Sequence, residues 1–404
     1  MKASTIFLLV LLCATHSASA DIDRKRLARI DDLLNQYVAD GKIAGAVVRI
    51  GHRGRVVKHD AYGMQDIEAG VAMQKDSIFR IASQTKAVIS VGIMMLQEEG
   101  KLLISHPLSR YMPEWKDSTV AGSNDAGEDT IEPAKRAITL RDLLTHTAGI
   151  DYGDGPSWRE AGINGWYFAH RDEPIRETVR RMAPLPQAAQ PGERFVYGYS
   201  TDILGAVIEV ASGMPLDQFL KQKIFNPLAM TDTHFYLPNT KTARLATVYS
   251  ASDDTIKRTP DASAMVGQGA YVVGPRKSFS GGAGLLSTAS DYGRFLDTLL
   301  LGGRLDGQRI MGRKTVDLMT TDHLRDVDFR PGSAFGLGFL VVDDVGATGE
   351  AGSVGNFGWG GAYHTTYWVD PVEELTFVYM TQLLPAGGLD DSARLRALIY
   401  QAVD

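Results

Sequence analysis

The stretch Ser83-Gln84-Thr85-Lys86-Ala87-Val88-Ile89-Ser90-Val91-Gly92-Ile93-Met94-Met95-Leu96 decides how this 404-residue chain is read. A serine and a lysine three positions apart share one helix face, one turn apart. The run behind them is nearly all apolar, so the helix is expected to be buried on most sides. Burial disfavours an ammonium and is expected to lower the pKa of Lys86. A neutral lysine can take the proton of a serine hydroxyl, which would make the pair a nucleophile with its base attached. Ser-x-x-Lys is also an ordinary way to begin a helix with an exposed lysine, so its meaning depends on the rest of the chain.

The bulk properties narrow the classes. Lys2, the apolar Ile6 to Leu12 and Ala18-Ser19-Ala20 read as a secretory signal peptide over 1–20, too short for a membrane span. A periplasmic or extracellular protein is expected. Cys13, the only cysteine, falls inside that segment, so neither a disulfide nor a cysteine-ligated metal is expected after export. Leu12 before Cys13 argues against a lipoprotein cleavage site. A formal net charge of −6, one unit more acidic without Lys2, argues against nucleic acid and anionic membranes as partners. The nine histidines show neither His-x-x-x-His nor His-Glu-x-x-His, so no metal is expected. Gly-x-x-x-x-Gly-Lys-Ser/Thr and Gly-x-Ser-x-Gly are absent as well, and no cofactor is expected. The expected partner is a small-molecule substrate; oligomeric state is not legible.

Periodicity around the central motif predicts an α+β layout. Leu27, Ile30, Leu33, Leu34, Tyr37 and Val38 mark a first helix ending near Gly41. Ala46 to Ile50 and Val56 to His59 read as a hairpin about His52-Arg53-Gly54. Helical patterns and polar loops follow: a loop over Asp117 to Ala137, a capping box at Thr139 opening a short helix through His146, an apolar helix over Ile203 to Val210 closed by Ser212-Gly213, and a glycine-rich loop over Gly267 to Gly284. Thr288 caps a further helix. Phe335 to Val342, Ala362 to Val369 and Leu375 to Thr381 read as strands, and Leu395, Leu398, Ile399 and Ala402 as a last helix. Both ends of the chain thus contribute to one sheet. The expected domains are a discontinuous α/β sheet domain over 21–82 and 286–404 and a mostly helical domain over 83–285, with the site at their junction.

Serine chemistry needs a second proton carrier and an oxyanion site. Tyr197, in Phe195-Val196-Tyr197-Gly198-Tyr199, is the candidate carrier, since a phenol beside a lysine can pass a proton to a leaving group. On its own it reads equally as an aromatic packing a loop. Trp359-Gly360-Gly361-Ala362 reads as a glycine turn entering a strand, where backbone can approach a ligand and the N–H of Ala362 can join that of Ser83 as an oxyanion hole. His146, at the end of its short helix, reads as structural.

These motifs, in this order, resemble the serine β-lactamase and penicillin-binding-protein superfamily, and within it most nearly the family VIII carboxylesterases, which look like class C β-lactamases. The resemblance spans nearly all of the chain after residue 20. It takes in Phe79-Arg80-Ile81-Ala82-Ser83, Leu143-Leu144-Thr145-His146-Thr147-Ala148-Gly149-Ile150, Pro191-Gly192-Glu193-Arg194-Phe195-Val196-Tyr197, Gly281-Gly282-Ala283-Gly284-Leu285 and Trp359-Gly360-Gly361. It implies a β-lactamase/DD-peptidase-like fold, with an antiparallel sheet flanked by helices and an inserted helical domain. It implies Ser83 as nucleophile, Lys86 and Tyr197 as proton carriers, and oxyanion stabilisation by the backbone of Ser83 and Ala362. Two positions depart from the β-lactamase pattern. Tyr199 stands where an asparagine would hold an amide side chain, and Trp359 where a lysine would meet a carboxylate. Tyr199, Trp359, Gly360 and Gly361 are therefore expected to bind the substrate, and the change is expected to favour uncharged, short-chain esters. A β-lactamase, a D-amino-acid peptidase, an acyltransferase and a non-catalytic peptidoglycan-binding relative remain open alternatives.

Overall fold

β1 (Gly45–His52) and β2 (Arg55–Asp66) form the hairpin expected about His52-Arg53-Gly54. In this computed structural model, residues 21–404 are described except 125–126, 154, 253–254 and 262–266, so the expected signal peptide and Cys13 lie outside the described residues. The hairpin belongs to an eight-stranded antiparallel sheet. Its other strands are β3 (Val71–Ala72), β4 (Ser333–Phe335), β5 (Leu340–Val342), β6 (Phe357–Gly361), β7 (Thr365–Asp370) and β8 (Leu375–Met380), in the spatial order β4-β5-β6-β7-β8-β1-β2-β3. β8 lies directly beside β1, with Val48 opposite Tyr379, so the two ends of the chain meet in the middle of the sheet.

The helices that position the site are α1 (Arg29–Ala39), α2 (Thr85–Glu98), α3 (Leu140–Leu144), α4 (Ser200–Ser212), α5 (Ala289–Leu300) and α6 (Asp391–Tyr400). Alternation along the central strands divides the core in two. Val48, Ile50, Phe377, Tyr379 and Trp368 face α1 and α6 and pack on Ile30, Leu34, Leu395 and Ile399. Val47, Val378, Met380, Tyr367 and Val369 face the other way, toward Phe295, Leu296 and Leu299 of α5 and the buried residues of α2 and α4. Each such aliphatic or aromatic side chain contributes about 1.5–3 kcal/mol on burial, so two-sided burial secures the register of β1 and β8.

Several local expectations change. Phe335 to Val342 is two strands, β4 and β5, because Gly336 and Phe339 close a tight turn between them. The segment Asp117 to Ala137 contains a hairpin of Thr119–Ser123 and Asp129–Pro133, docked through Val120 on Gln187. Val120 is its one buried residue and most of the others are exposed, so no apolar alternation marks it in the sequence. Trp359-Gly360-Gly361 is strand rather than turn, because β7 hydrogen-bonds β6 through Gly361 despite the glycines. α3 opens on the expected Thr139–Asp142 capping box but ends at Leu144, before His146 turns left-handed at φ +55°. Among the described residues no single helix is long and apolar enough to cross a membrane.

Candidate active site

Ser83 enters the site through a strained corner. Ala82 has φ +41°, a conformation that costs a non-glycine residue of order 1–3 kcal/mol. A single 3₁₀ turn over Ala82–Gln84 then leads into α2. This geometry leaves Ser83 half-exposed at the start of the helix while Lys86 is only 2% exposed. The Lys86 ammonium has three protons and three acceptors: Ser83 Oγ at 3.3 Å, the Tyr152 hydroxyl at 3.1 Å and the Gly282 carbonyl at 2.8 Å. It also lies 4.6 Å from the centre of the Tyr197 ring. Burial disfavours the charge, but Tyr152, Tyr197 and the carboxylate of Asp202 together outweigh it and raise the pKa of Lys86 above its usual value. The expectation of a lowered pKa is thereby reversed: the group was expected to be desolvated without compensation, whereas the fold surrounds it with oxygens. In the resting site Lys86 is a donor.

Tyr197 is oriented from both sides. The Trp359 indole N–H donates to its hydroxyl oxygen at 3.0 Å, and the His146 ring packs 4.6 Å from the Tyr197 ring. An indole only donates, so the Tyr197 proton remains free to be given elsewhere. Burial, followed by the nearby Lys86 charge, holds the His146 pKa well below the usual range. A neutral ring packed at a tilt against Tyr197 agrees with a structural role for His146.

Tyr152 was not among the sequence candidates. It contacts Lys86 directly, and burial pushes its pKa up to about 12. Its signal lies two residues past Ile150, in Asp151-Tyr152-Gly153, where a turn-like setting hides it. Gly198 brings the two tyrosines together: a Cβ there would stand 2.3 Å from the Asp151 carbonyl carbon, so the backbone after Tyr197 lies directly on the backbone before Tyr152. Tyr199, expected to meet the substrate, instead lies wholly in the core. Its hydroxyl donates to the carbonyls of Tyr152 and Gly165 at 2.9 and 2.8 Å, and its ring stacks on Trp158. The residue following Gly198 opens α4, so its side chain turns inward and supports the Tyr152 loop.

A buried carboxylate lies beneath the lysine. Asp202 Oδ1 accepts from Ser280 Oγ at 2.6 Å and from the Gly282 N–H at 3.1 Å, while the carbonyl of Gly282 receives Lys86. α4 thus holds the Gly281-Gly282 backbone in the orientation that satisfies the ammonium. Burial raises the pKa of Asp202. Replacing Tyr152 by phenylalanine keeps the ring packing and removes one acceptor from Lys86. We expect kcat/KM to fall about 10–100-fold with an unchanged unfolding transition, checked by initial rates and thermal denaturation.

The site opens into a cavity of about 820 Å³ lined by Ser83, Tyr152, Tyr197, Trp359, Gly360, Gly361 and Ala362 among others. β5 pairs with β6 only at Phe357 and Gly358, so Trp359–Gly361 present a free strand edge to this cavity. A Cβ on Gly361 would stand 2.3 Å from the carbonyl oxygen of Ile81, which places the end of β6 against the segment that carries Ser83. Among the described residues no cluster of histidine, cysteine or carboxylate side chains could hold a metal ion.

Residues 30–401 match the Beta-lactamase family. Protein Rv1367c of Mycobacterium tuberculosis is 35% identical over 375 residues, 87% of this chain and 89% of its own length. Esterase EstB of Burkholderia gladioli is 30% identical over 370 residues, 88% of this chain and 90% of its own. The solved structure of EstCE1, described as a hydrolase with promiscuous acyltransferase activity, superposes with a TM-score of 0.79 at 27% identity, covering 93% of this chain and 99% of that one. Matched almost end to end by sequence and by architecture, the chain belongs to the β-lactamase family and is a serine hydrolase of that family.

Proposed function

We propose that the protein is an exported carboxylesterase that cleaves short-chain carboxylic esters through an acyl-enzyme on Ser83. The observation that carries this reading is the arrangement of Lys86 Nζ 3.3 Å from Ser83 Oγ, with Tyr197 beside it and held by Trp359 rather than by a strand lysine. The Lys86–Tyr197 pair first loses one proton to solvent; Ser83 Oγ then bonds to the ester carbonyl carbon as its own proton passes to the vacancy in that pair. The carbonyl oxygen takes up the negative charge facing the N–H groups of Ser83 and Ala362. The carbon–oxygen bond to the alcohol breaks, and the network returns the proton to the departing oxygen. Water repeats the sequence on the acyl-enzyme and releases the acid. Support comes from the esterase name of EstB and the hydrolase description of EstCE1.

Acyl transfer to an alcohol is a second reading, favoured by a cavity large enough to hold an acyl group and an acceptor together. The test is a panel of p-nitrophenyl acetate, butyrate and octanoate, nitrocefin and a D-Ala-D-Ala peptide, each with and without added alcohol. Fluorophosphonate labelling is mapped in parallel. We expect the short esters to be turned over best and the label to sit on Ser83. Faster nitrocefin turnover would replace the esterase reading with a β-lactamase one, and absence of an adduct in folded protein would point to a non-catalytic relative.

A further inference from the structure

Three charged side chains line the cavity: Arg330, Glu350 and Arg396. Glu350 and Arg396 pair with each other at 3.0 Å, and Arg396 also lies over the Trp368 ring. Arg330 is different. Among the described residues its guanidinium has neither a carboxylate within ion-pair distance nor a hydrogen-bond acceptor. It is held instead by two rings, lying 5.1 Å from the centre of Trp359 and 5.2 Å from that of Phe329.

Both supports are themselves secured. Trp359 donates to Tyr197, and Phe329 packs 4.6 Å from Phe195. The Arg330 backbone accepts from the Ser333 N–H at 3.0 Å, which ties the loop to the start of β4. Stacking engages the face of a guanidinium and leaves its in-plane N–H groups available, an arrangement suited to a carboxylate. The exposed Asp326 and Asp328 lie on the same loop and pair with neither Arg330 nor the cavity lining.

We infer that Arg330 is a recognition residue for an anionic group on the alcohol portion of the ester, so that the favoured substrates are O-acylated hydroxy acids. The inference rests on the esterase reading above. The side of the ester follows from the order of contacts: Tyr197 serves the departing oxygen, Trp359 is bonded to Tyr197, and Arg330 lies on Trp359. On this inference the adjacent loop supplies the cation that position 359 of the strand lacks.

The test compares two pairs, each an anionic ester with an uncharged counterpart. On the alcohol side, 4-(butyryloxy)benzoate is set against 4-(butyryloxy)benzamide; on the acyl side, mono-4-nitrophenyl succinate against 4-nitrophenyl butyrate. We expect a preference of about tenfold in kcat/KM for the benzoate over the benzamide, the size of one charge-assisted hydrogen bond in a half-open site, and none for the succinate. Arg330→Ala should abolish the benzoate preference, Arg330→Glu should invert it, and Arg330→Lys should keep part of it. Arg325→Ala, an exposed charge outside the lining, should leave the ratio as it is. A benzoate-to-benzamide ratio unmoved by Arg330→Ala, or an anion preference confined to the acyl side, would overturn the inference. If neither pair is cleaved in a Ser83-dependent manner, the esterase reading itself fails; if both are cleaved with equal efficiency in every Arg330 variant, only this inference fails.

Discussion

Ser83→Ala and Lys86→Met are each expected to lower kcat/KM for a short p-nitrophenyl ester by about 10⁴-fold, and the double variant is expected to fall no further. The reason lies in the three contacts of Lys86. Its ammonium is shared among Ser83, Tyr152 and the Gly282 carbonyl, so it cannot act on the nucleophile independently of that set. Removing either member disables the same step, and effects on one step do not add. Methionine fills much of the lysine volume, so α2 should remain packed, although Gly282 and Tyr152 lose a donor. Initial rates, with far-ultraviolet circular dichroism to confirm folding, check the prediction. A Ser83→Ala enzyme working at the wild-type rate would remove Ser83 as nucleophile, and additive losses in the double variant would mean separate roles for the two residues.

Asp297→Ala is expected to destabilise the protein by about 3–5 kcal/mol, the largest effect we anticipate away from the site. Asp297 of α5 pairs with Arg49 of β1, and both side chains are under 5% exposed. Thr376 of β8 donates to the same carboxylate at 2.7 Å. The triad joins α5 to two central strands that come from opposite ends of the chain. Removing the carboxylate alone leaves a guanidinium buried without a partner, which costs more than the pair contributes. The double variant Arg49→Met with Asp297→Leu should therefore recover most of the loss. Urea unfolding of the wild type and the two variants checks this, and a single variant no less stable than the double would contradict it.

Position along the chain made some features readable and concealed others. The α2 motif, the Thr139–Asp142 capping box and the strands about Val48 and Phe377 are local patterns, each set by spacing within a few residues. The hairpin within Asp117 to Ala137 has no such pattern, because its pairing rests on backbone and Val120 is its one buried residue. Tyr199 followed the family position but not the family role: the turn at Gly198 points it into the core.

The sequence by itself determined that this is an α+β chain with a serine–lysine pair on a buried helix, and it singled out Tyr197 and Trp359 to stand with them, because those choices are written in periodicity and motif. Only the tertiary structure decided the charge of Lys86, the entry of Tyr152, the support from Asp202 through Gly282, and the place of Arg330 over Trp359. Each of these depends on groups tens to hundreds of residues apart being brought within a few ångströms. Electrostatic interaction follows distance in space, and that distance is set by the packed sheet and helices rather than by any one segment.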